Sequence, residues 1–521
     1  MEGTRQGLVR AVIVAALITS TQGPGLLAQT VAPDPAAGPS LELTLAEAER
    51  RALDRNPAIA QARLGREAAD LGIAESRAAF SPTFTAALFQ RGQTNPATSQ
   101  LAGGQTAVST DTSTYSTGVE QPLPWGGGRL AVDFSGNRTA SSNVFATYNP
   151  SFTSGLSASL TQPLLRGLRI DSMRTAVQAA AIDSDIAGIE LRQQMAATAA
   201  SVRRAYWDLV YANDALATAR QSEGLAQRQL EENRQRVEIG TAAPIDILES
   251  EAEAAARRQA VVQGEGAWRT AQITLKELLV ASPTDPLWTS TLVPVDRPAA
   301  ESRTLDVATA VATAIANRTD LQAARRLRDR SNTSLQLLAD QRKPAVDLVV
   351  DYSLNGVGGT QILRQAGTLG SEIIGTAPGS YLDVLRSLGT FDYPTWSVGV
   401  NVSVPLGRRA ADAAYARAQV ERRQTDVQIA TLELQVAAQV IRLAESVRSA
   451  EQQVQAAAAA RQLAQRRLEA EDARRAAGLS TNFLVLQAQR DLATAQTSEL
   501  RAQLDYRTAL VAFDLAQQAP A

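Results

Sequence analysis

The sequence contains neither cysteine nor histidine among its 521 residues. The missing cysteine excludes disulfides, thiol nucleophiles and the N-terminal lipid of bacterial lipoproteins, and the missing histidine removes the usual acid–base residue of enzymes. Most structural zinc sites are excluded as well, because they are built from these two residue types. We therefore expect no catalytic residue, no cofactor, no metal site, and a function other than bond making.

Aromatic residues, net charge and long apolar runs are also scarce. Aromatic side chains make up 4% of the sequence, which is little for a protein with one large compact core. The net charge of −2 gives no electrostatic reason to expect a nucleic-acid partner. Apart from the N-terminus, no run approaches the ~18 apolar residues of a transmembrane helix. If such a chain enters a membrane, it must do so as a closed β-barrel.

The N-terminus has the pattern of an export signal. Arg5 and Arg10 precede a short apolar run, and Ala28 offers a small residue for cleavage. Because the run is too short to span a bilayer, residues 1–28 are predicted to be a cleaved secretory signal. The alternative is a disordered N-terminal arm. Residues 29–43, rich in proline, are predicted to be a flexible lead-in.

The chain contains two copies of one long unit. Residues 202–271 align without a gap with residues 440–509, at a constant shift of 238. A second block, which begins at Pro57 in the first copy and at Thr319 in the second, repeats at a shift of 262. The first copy therefore carries 24 additional residues between its two blocks. Copies with so long a period pack as equivalent structural units.

Each copy is predicted to begin with a helix. Thr44 and Glu47 form a capping box at the start of a helix over 44–79. In the second copy, Thr304 is a weaker start for a helix over 304–342. The full division is a first repeat over 44–290, a linker over 291–303 and a second repeat over 304–516.

Alternating segments follow both helices. Apolar and polar residues alternate beyond Pro82 and beyond Pro344, which predicts strand regions over 80–163 and 344–405. Fourteen of the 23 aromatic residues lie in these two regions, as is typical of membrane barrels. An ordinary soluble sheet would show a similar pattern.

Two pairs of long helices are predicted behind the strands, over 168–239 and 243–280, and over 408–477 and 481–516. The first helix of each pair would reach roughly 100 Å if unbroken. Apolar residues recur on these helices every seven positions beside many alanines, which indicates close coiled-coil packing. The alternative is a soluble antiparallel coiled coil. The positions of this seam are Met195, Val202, Leu209, Leu216, Leu230 and Val237 in the first copy, and Val440, Val447, Val454 and Leu468 in the second.

Each pair of long helices turns at a glycine. Gly240 and Gly478 occupy matching positions, and glycine suits the left-handed residue that ends a helix. Thr241 in the first copy and Ser480 in the second can cap the returning helix. The chain is thus predicted to form two helical hairpins whose tips lie at similar distances from the strands.

This order of parts, duplicated behind an export signal, resembles the TolC family of outer-membrane efflux proteins. The resemblance covers about residues 41–516 and is most specific in the tip segments, 240–252 and 478–490. It implies an α+β membrane protein built from a duplicated unit of helix, strand pair and long helical hairpin. Three chains would each give four strands to a twelve-stranded outer-membrane β-barrel, continued by an α-helical barrel in the periplasm.

Closure of that barrel has a physical reason. Four strands from one chain leave open edges, which hydrocarbon does not tolerate, so other copies must complete the ring. Two further segments, Thr114–Glu120 and Leu130–Ser135, are predicted to form a hairpin at the extracellular side or barrel rim. The alternative is that they belong to the barrel, which would change its size. Residues 356–393 are predicted to be an extracellular excursion of the second copy.

The resemblance implies the outer-membrane channel of a tripartite efflux or type I secretion system, which conducts its cargo passively. The expected partners are two further copies, outer-membrane lipid, a periplasmic adaptor (membrane fusion protein) and an inner-membrane RND, ABC or MFS transporter. Drugs, metal ions, metabolites and unfolded proteins are all possible cargoes. The residues expected to dock on the adaptor are Gly240, Thr241, Gly478, Leu479 and Ser480.

The resemblance also implies an aperture at the tips, gated by acidic residues. Asp246 and Glu249 match such positions and lie one turn apart on one helical face. Threefold symmetry would arrange them as rings of carboxylates that attract cations. The alternative is a solvated helix face that the helix dipole favours.

The second copy departs from the family pattern at its tip. Leu484 and Gln487 stand where relatives often carry acids, and Ser480 stands where relatives place an arginine that latches the aperture. If a latch is present, another residue must provide it. The candidates are Arg474, Arg475 and Arg236.

Two other functions are alternatives to an export channel. A soluble periplasmic coiled-coil scaffold or adaptor would not need strand segments with clustered aromatics in both copies. A carboxylate-based enzyme such as a glycosidase needs only two acids. The sequence, however, shows no acidic pair within a glycine-rich or aromatic cleft, and every element is duplicated.

Overall fold

The structure of the chain is a computed structural model. The predicted signal peptide, 1–28, lies outside the residues that it describes. None of the helices in the described part combines the length and the apolar character that a membrane crossing requires. The described residues are 39–98, 104–297, 303–365, 372–407 and 409–518.

The first copy begins with β1 (Ser40–Leu43), α1 (Leu45–Arg55) and α2 (Pro57–Ala78). Four strands follow, β2 (Thr83–Pro96), β3 (Ala107–Pro122), β4 (Arg129–Ser141) and β5 (Tyr148–Pro163). The long helices α3 (Ser172–Glu238) and α4 (Ile245–Leu279) form the first hairpin, and β6 (Thr291–Pro294) comes after it.

The second copy repeats this order with fewer strands. It begins with α5 (Val307–Asn317) and α6 (Thr319–Gln341), which lead into β7 (Ala345–Arg364). An excursion then holds the short β8 (Ile373–Ala377) and α7 (Tyr381–Gly389) before β9 (Pro394–Ser403). The long helices α8 (Arg409–Ala476) and α9 (Asn482–Gln517) form the second hairpin.

The first helix of each copy is broken in two, which corrects the predicted single helices over 44–79 and 304–342. Asn56 has φ −63° and ψ 125°, and Arg318 has nearly the same values, −61° and 128°. In the first copy the break has a local cause, because Pro57 disfavours a helical conformation at the residue before it. The Asn56 side chain then caps α2 by accepting from the N–H of Ala58 at 2.9 Å.

Parts of the predicted lead-in, 29–43, and linker, 291–303, are strands. β1 and β6 pair in parallel, from Ser40 opposite Thr291 to Leu43 opposite Pro294. The hydroxyl of Tyr206 on α3 lies 3.0 Å from the Leu43 carbonyl oxygen and 2.8 Å from the Asp296 carboxylate. This contact fixes the small sheet against the long helix.

The long strands form one antiparallel sheet in the order β2–β3–β4–β5–β7–β9, and β8 pairs with the far end of β7. Each of the six long strands starts or ends at the same border, where the sheet meets the helices. From this border β2, β4 and β7 run outward, and β3, β5 and β9 return.

The chain gives this sheet six long strands, not the predicted four. The predicted rim hairpin, Thr114–Glu120 with Leu130–Ser135, is wrong because these residues lie within β3 and β4, which pair with full-length neighbours on both sides. The turn between them lies at the helical border, where Gln162 Nε2 donates to the carbonyl of Gly126 at 2.7 Å. The broader prediction of an α+β chain built from a duplicated unit is confirmed.

The sheet has one apolar and one polar face. On β9, Trp396, Val398, Val400 and Val402 lie on one face and are 56–72% exposed. One line of cross-strand neighbours on this face is Phe84, Val119, Val132, Ala158, Tyr352 and Trp396. The next line, on the opposite face, is Thr85, Gly118, Asp133, Ser157, Ser353 and Thr395. An exposed apolar face backed by a polar one is typical of a wall between lipid and water.

The predicted excursion over 356–393 is partly strand, because β7 continues to Arg364. Beyond it, α7 packs on the outer end of the apolar face. The side chain of Val384 is buried there, and a Cβ added at Gly356 or Gly358 would come within 2.8 Å of Val384 atoms. These two glycines allow the helix to approach the strand closely.

The helices pack mainly within their own hairpin, α3 with α4 and α8 with α9, while α3 also contacts α6 and α9. The upper part of the predicted seam is confirmed, since Val202, Leu209, Leu216, Val440 and Val447 are buried. Toward the tip of the first hairpin, the buried positions of α3 include the polar Gln229 and Asn233. Leu230 and Val237 of the predicted seam are only half-buried.

Candidate aperture and docking site at the helical tips

Both tips have the same backbone geometry. In each, the glycine N–H donates to the carbonyl three residues earlier at 3.0 Å, and the next N–H donates to the carbonyl five residues earlier at 2.8 Å. Gly240 has φ 76° and Gly478 has φ 73°. These are the bonds and the left-handed residue of a Schellman motif, which ends both helices in the same way.

Apolar side chains are exposed around both tips. In the first tip, Ile239, Ile245 and Leu248 are 72%, 56% and 62% exposed. In the second, Leu479 and Phe483 are 79% and 53% exposed. Such a concentration of exposed apolar residues at the end of a hairpin is typical of a protein contact surface. It surrounds the sequence-predicted docking residues Gly240, Thr241, Gly478, Leu479 and Ser480, of which Ser480 alone is half-buried.

Asp246 and Glu249 lie at the start of α4, directly behind the first tip. Both side chains are half-buried. Nearby acids on the same helix are paired, Glu251 with Arg234 at 2.8 Å and Glu253 with Arg257 at 2.7 Å. No ion pair within the described chain engages Asp246 or Glu249, so their charges are available to the space beside the tip.

The candidate latch arginines have different partners. Arg474 pairs with Glu471 on its own helix at 2.8 Å. Arg475 reaches across to Glu232 of the first hairpin at 3.5 Å, and its side chain is 15% exposed. Ser480 donates to Glu471 at 2.7 Å, and this hydrogen bond lowers the pKa of the Glu471 carboxyl. Arg475 is therefore the candidate whose ion pair joins the two hairpins.

A buried polar cluster also joins the two hairpins behind the tips. Asn233 Nδ2 donates to Ser250 Oγ at 2.7 Å and to Asn482 Oδ1 at 3.1 Å. Gln229 Nε2 lies 3.1 Å from Asn233 Oδ1 and 3.3 Å from Asn482 Oδ1. Asn482 begins α9, so the cluster holds the start of the second returning helix against the first hairpin.

Glu253 forms a second link between the two hairpins, through charged groups. Its side chain is 4% exposed and lies between two guanidinium groups, with Arg257 Nε at 2.7 Å and Arg490 Nε at 2.6 Å. Arg257 is on the same helix, whereas Arg490 is on α9. A buried carboxylate is tolerated only when it is paired and hydrogen-bonded, as it is here.

No sequence pattern predicted this cluster. Gln229 and Asn233 stand four residues apart, so both amides lie on one face of the helix. This spacing alone is only a weak signal of a polar cluster. Their partner Asn482 and the Glu253 partner Arg490 lie more than 200 residues away along the chain. Only the folded arrangement of the two hairpins brings these side chains together.

The chain is similar in fold to several proteins of known structure. A crystal structure of a membrane protein from Pseudomonas aeruginosa has 19% sequence identity, with a TM-score of 0.64 over 91% of this chain and 93% of the other. The outer membrane channel CmeC of Campylobacter jejuni has 14% identity and a TM-score of 0.61, over 91% and 85%. The outer membrane protein VceC of Vibrio cholerae has 16% identity and a TM-score of 0.60, over 91% and 95%. At these identities the similarity establishes the fold.

The family is established by sequence. No curated protein matches the chain significantly. The sequence profile described as outer membrane efflux protein, however, matches residues 128–280 and 310–516, well over half of the chain. This is a family of channels rather than of enzymes. The chain therefore belongs to the outer membrane efflux protein family and is the outer-membrane channel of a tripartite efflux system, extending into the periplasm.

Proposed function

We propose that three copies of the chain form one continuous duct through the outer membrane and periplasm, which conducts its cargo passively and makes no bonds. The tips dock on a periplasmic adaptor joined to an inner-membrane RND, ABC or MFS transporter. The single observation that carries the proposal is a sheet with one lipid-compatible face, continued by helical hairpins with uncovered apolar stripes. Neither feature is stable in an isolated chain in water.

The first uncovered stripe lies on α8. Val420, Val427 and Leu434 recur every seven residues and are 46%, 65% and 73% exposed. In the first copy, Ile189 of α3 corresponds to Val427 at the shift of 238, and it is only 5% exposed. The difference arises because α6 and α9 of the same chain cover α3. The stripe on α8 therefore requires an equivalent neighbour from another chain.

The second uncovered stripe lies on α2. Leu64 and Leu71 are also seven residues apart and are 65% and 63% exposed. Because α2 runs toward the sheet and α8 runs away from it, these leucines reach about the same level as Val420 and Val427. Packing of α8 from one copy against α2 of the next joins two different surfaces. Contacts of this type form closed rings, and the family resemblance implies three members.

The proposed docking surface is the pair of apolar tips. Each tip presents its residues on a rigid Schellman turn, so the turn need not be ordered when the adaptor binds. The proposed aperture residues, Asp246 and Glu249, follow the first tip directly. In a ring of three chains they provide up to six carboxylates around the axis, which favours the passage of cations over anions.

The experiment that tests the proposal combines fractionation, mass and conductance. We expect the purified protein to come from the outer-membrane fraction, to have the mass of a trimer by light scattering, and to conduct ions in planar bilayers. Val427→Glu should abolish the trimer, because it places charge in the α8 stripe, whereas Gln428→Glu on the adjacent helix face should leave it intact. A monomer recovered only from the soluble periplasm would support the alternative scaffold instead.

A further inference from the structure

The sheet has two unpaired edges. Among the described strands, β2 and β9 each have a single long neighbour. Both edges carry the apolar band, since Phe84 and Leu88 of β2 are 68% and 84% exposed and the four apolar residues of β9 are 56–72% exposed. In hydrocarbon, the unpaired N–H and C=O groups of such edges have no water to bind, so they must pair with other strands.

The occupant that fits both edges is a second copy of this chain. β2 runs outward from the helical border and β9 returns to it, so β9 of one copy is antiparallel to β2 of the next. A copy provides six strands, which is an even number, so the alternation of direction continues around the ring. No strand of the same chain remains among the described residues to cover either edge.

We infer that the outer-membrane barrel of this channel has eighteen strands, closed by pairing of β9 in each copy with β2 of the next. The inference rests on the proposed trimer and adds the number of strands and the contact that closes the ring. Barrel diameter grows about linearly with strand number, so the lumen is roughly 1.5-fold wider than that of a twelve-stranded barrel.

β3 and β4 are part of the wall, because the apolar band runs through them without interruption. Val119 pairs with Phe84 on one side and with Val132 on the other, and Val132 continues to Ala158 of β5. Their turn is held at the helical border by Gln162. A hairpin that projected from the rim would have neither neighbours along its whole length nor its turn beside the helices.

Side chains alternate between the apolar and the polar face along each strand, and this alternation restricts the register in which β9 can pair with β2 of the next copy. In this register, the end of β2 at the helical border is aligned with the end of β9 in the neighbouring copy, so Thr83 lies opposite Ser403. Thr85 then lies opposite Asn401 on the polar face, and Phe84 lies opposite Val402 on the apolar face. A shift by one residue would place the apolar residues of β2 in the aqueous lumen.

The same register determines the tilt of the strands in the barrel. Lines of cross-strand neighbours lead from Thr83 through Glu120, Ala131, Ser159 and Asp351 to Ser397. The proposed partner of Thr83, Ser403, is six positions further along β9, which amounts to a shear of eighteen for three copies. With eighteen strands this shear corresponds to a strand tilt of about 35°, within the usual range for barrels.

The helical part of the duct has a matching circumference. Four helices per chain, α2, α3, α6 and α8, lie next to the sheet, so a trimer has twelve. Twelve helices at 8–10 Å spacing span roughly 100–120 Å. Eighteen strands at this tilt span roughly 105 Å.

The closing contact can be tested by cross-linking, because the chain has no cysteine of its own. In outer-membrane preparations, Thr85→Cys combined with Asn401→Cys should give covalent dimers and trimers on treatment with a short thiol-specific cross-linker. The matched control combines Thr85→Cys with Ser397→Cys, which the proposed register separates by four residues, and should remain uncoupled. Absence of linkage at Asn401 and at positions two residues to either side, in preparations that are trimeric, would overturn the closure.

Whether β3 and β4 belong to the barrel wall can be tested with two single variants. A nitroxide label at Val132→Cys should contact lipid, and the same label at Asp133→Cys should contact only water-soluble relaxation agents. If trimers form and conduct but both labels face water, the eighteen-stranded wall is wrong while the proposed duct stands. If neither trimers nor conductance is found, the proposed function fails along with the inference.

Discussion

The carboxylate of Glu253 on α4 accepts a hydrogen bond from Arg490 on α9 at 2.6 Å, and thereby connects the returning helices of the two hairpins. The contact lies one to two turns behind the candidate aperture residues Asp246 and Glu249. Because the acid side chain is almost fully buried, the charge has no water to replace a lost partner.

Removal of this acid should loosen the tips. Glu253→Gln leaves Arg257 and Arg490 without their counter-charge, and because these guanidinium groups are 20% and 50% exposed, we expect a loss below the about 3–5 kcal/mol of a fully buried pair. We expect a lower thermal midpoint of the trimer in detergent. The matched control is Glu251→Gln on the same helix, whose pair with Arg234 is about half exposed. Such a surface pair contributes about 1 kcal/mol or less, and equal effects of the two variants would contradict the structural role of Glu253.

The tip glycines should tolerate no side chain. At Gly240 and Gly478 a Cβ meets no heavy atom within 4 Å, so the cost of alanine comes from the left-handed backbone alone. That cost is roughly 1–2 kcal/mol for each residue. The matched control is Gly224→Ala within α3, where a Cβ also meets nothing. At that position alanine should stabilise the protein by roughly 0.5–1 kcal/mol. The thermal midpoints of the tip variants and of the control should therefore shift in opposite directions.

The proposed aperture acids should set ion selectivity. Asp246→Asn combined with Glu249→Gln removes up to six charges from the ring while keeping side-chain size. We expect the ratio of cation to anion permeability in planar bilayers to fall toward one, because the carboxylates concentrate cations at the constriction. Glu251→Gln is again the control, since that acid is neutralised by Arg234. Unchanged selectivity and conductance in the double variant would remove Asp246 and Glu249 from the aperture.

Tyr206 should make stability sensitive to alkaline pH. Burial raises the pKa of its hydroxyl to about 12, compared with about 10 in an unfolded chain. Because the folded state holds the proton more tightly, this contribution is complete below about pH 10 and is lost as pH rises toward 12. Tyr206→Phe should be less stable than the parent at pH 8, since it leaves the Asp296 N–H without its partner. The difference between the two proteins should shrink above pH 10 in denaturant titrations, and a constant difference would show that Tyr206 does not titrate as proposed.

The duplicated plan and the turns were predictable from sequence because their signals are local. Gly240 and Gly478 each mark a left-handed residue, and one glycine is enough to indicate the end of a helix. The two strand regions were recognisable from alternation alone. The break before Pro57 was missed in the predicted single helix over 44–79, although proline restricts the residue before it. Its counterpart at Arg318 has no such residue and became evident only in the fold.

The number of strands was not predictable in the same way. β3 contains many serines and threonines, and its apolar positions Tyr115 and Val119 give a weak alternation. Its place in the sheet is determined by pairing with β2 and β4, which are already amphipathic. The link between Glu253 and Arg490 was equally hidden, since it joins residues of different hairpins.

Because α3 is long, a small change in its tilt at the sheet moves its distant end by a large distance. A straight helix of 67 residues is roughly 100 Å long, so a tilt of about 5° where it leaves the membrane displaces the other end by roughly 9 Å. That displacement is close to the diameter of a helix. Substitutions near Asp171, where α3 begins, can therefore widen or narrow the periplasmic opening without altering any residue that lines it.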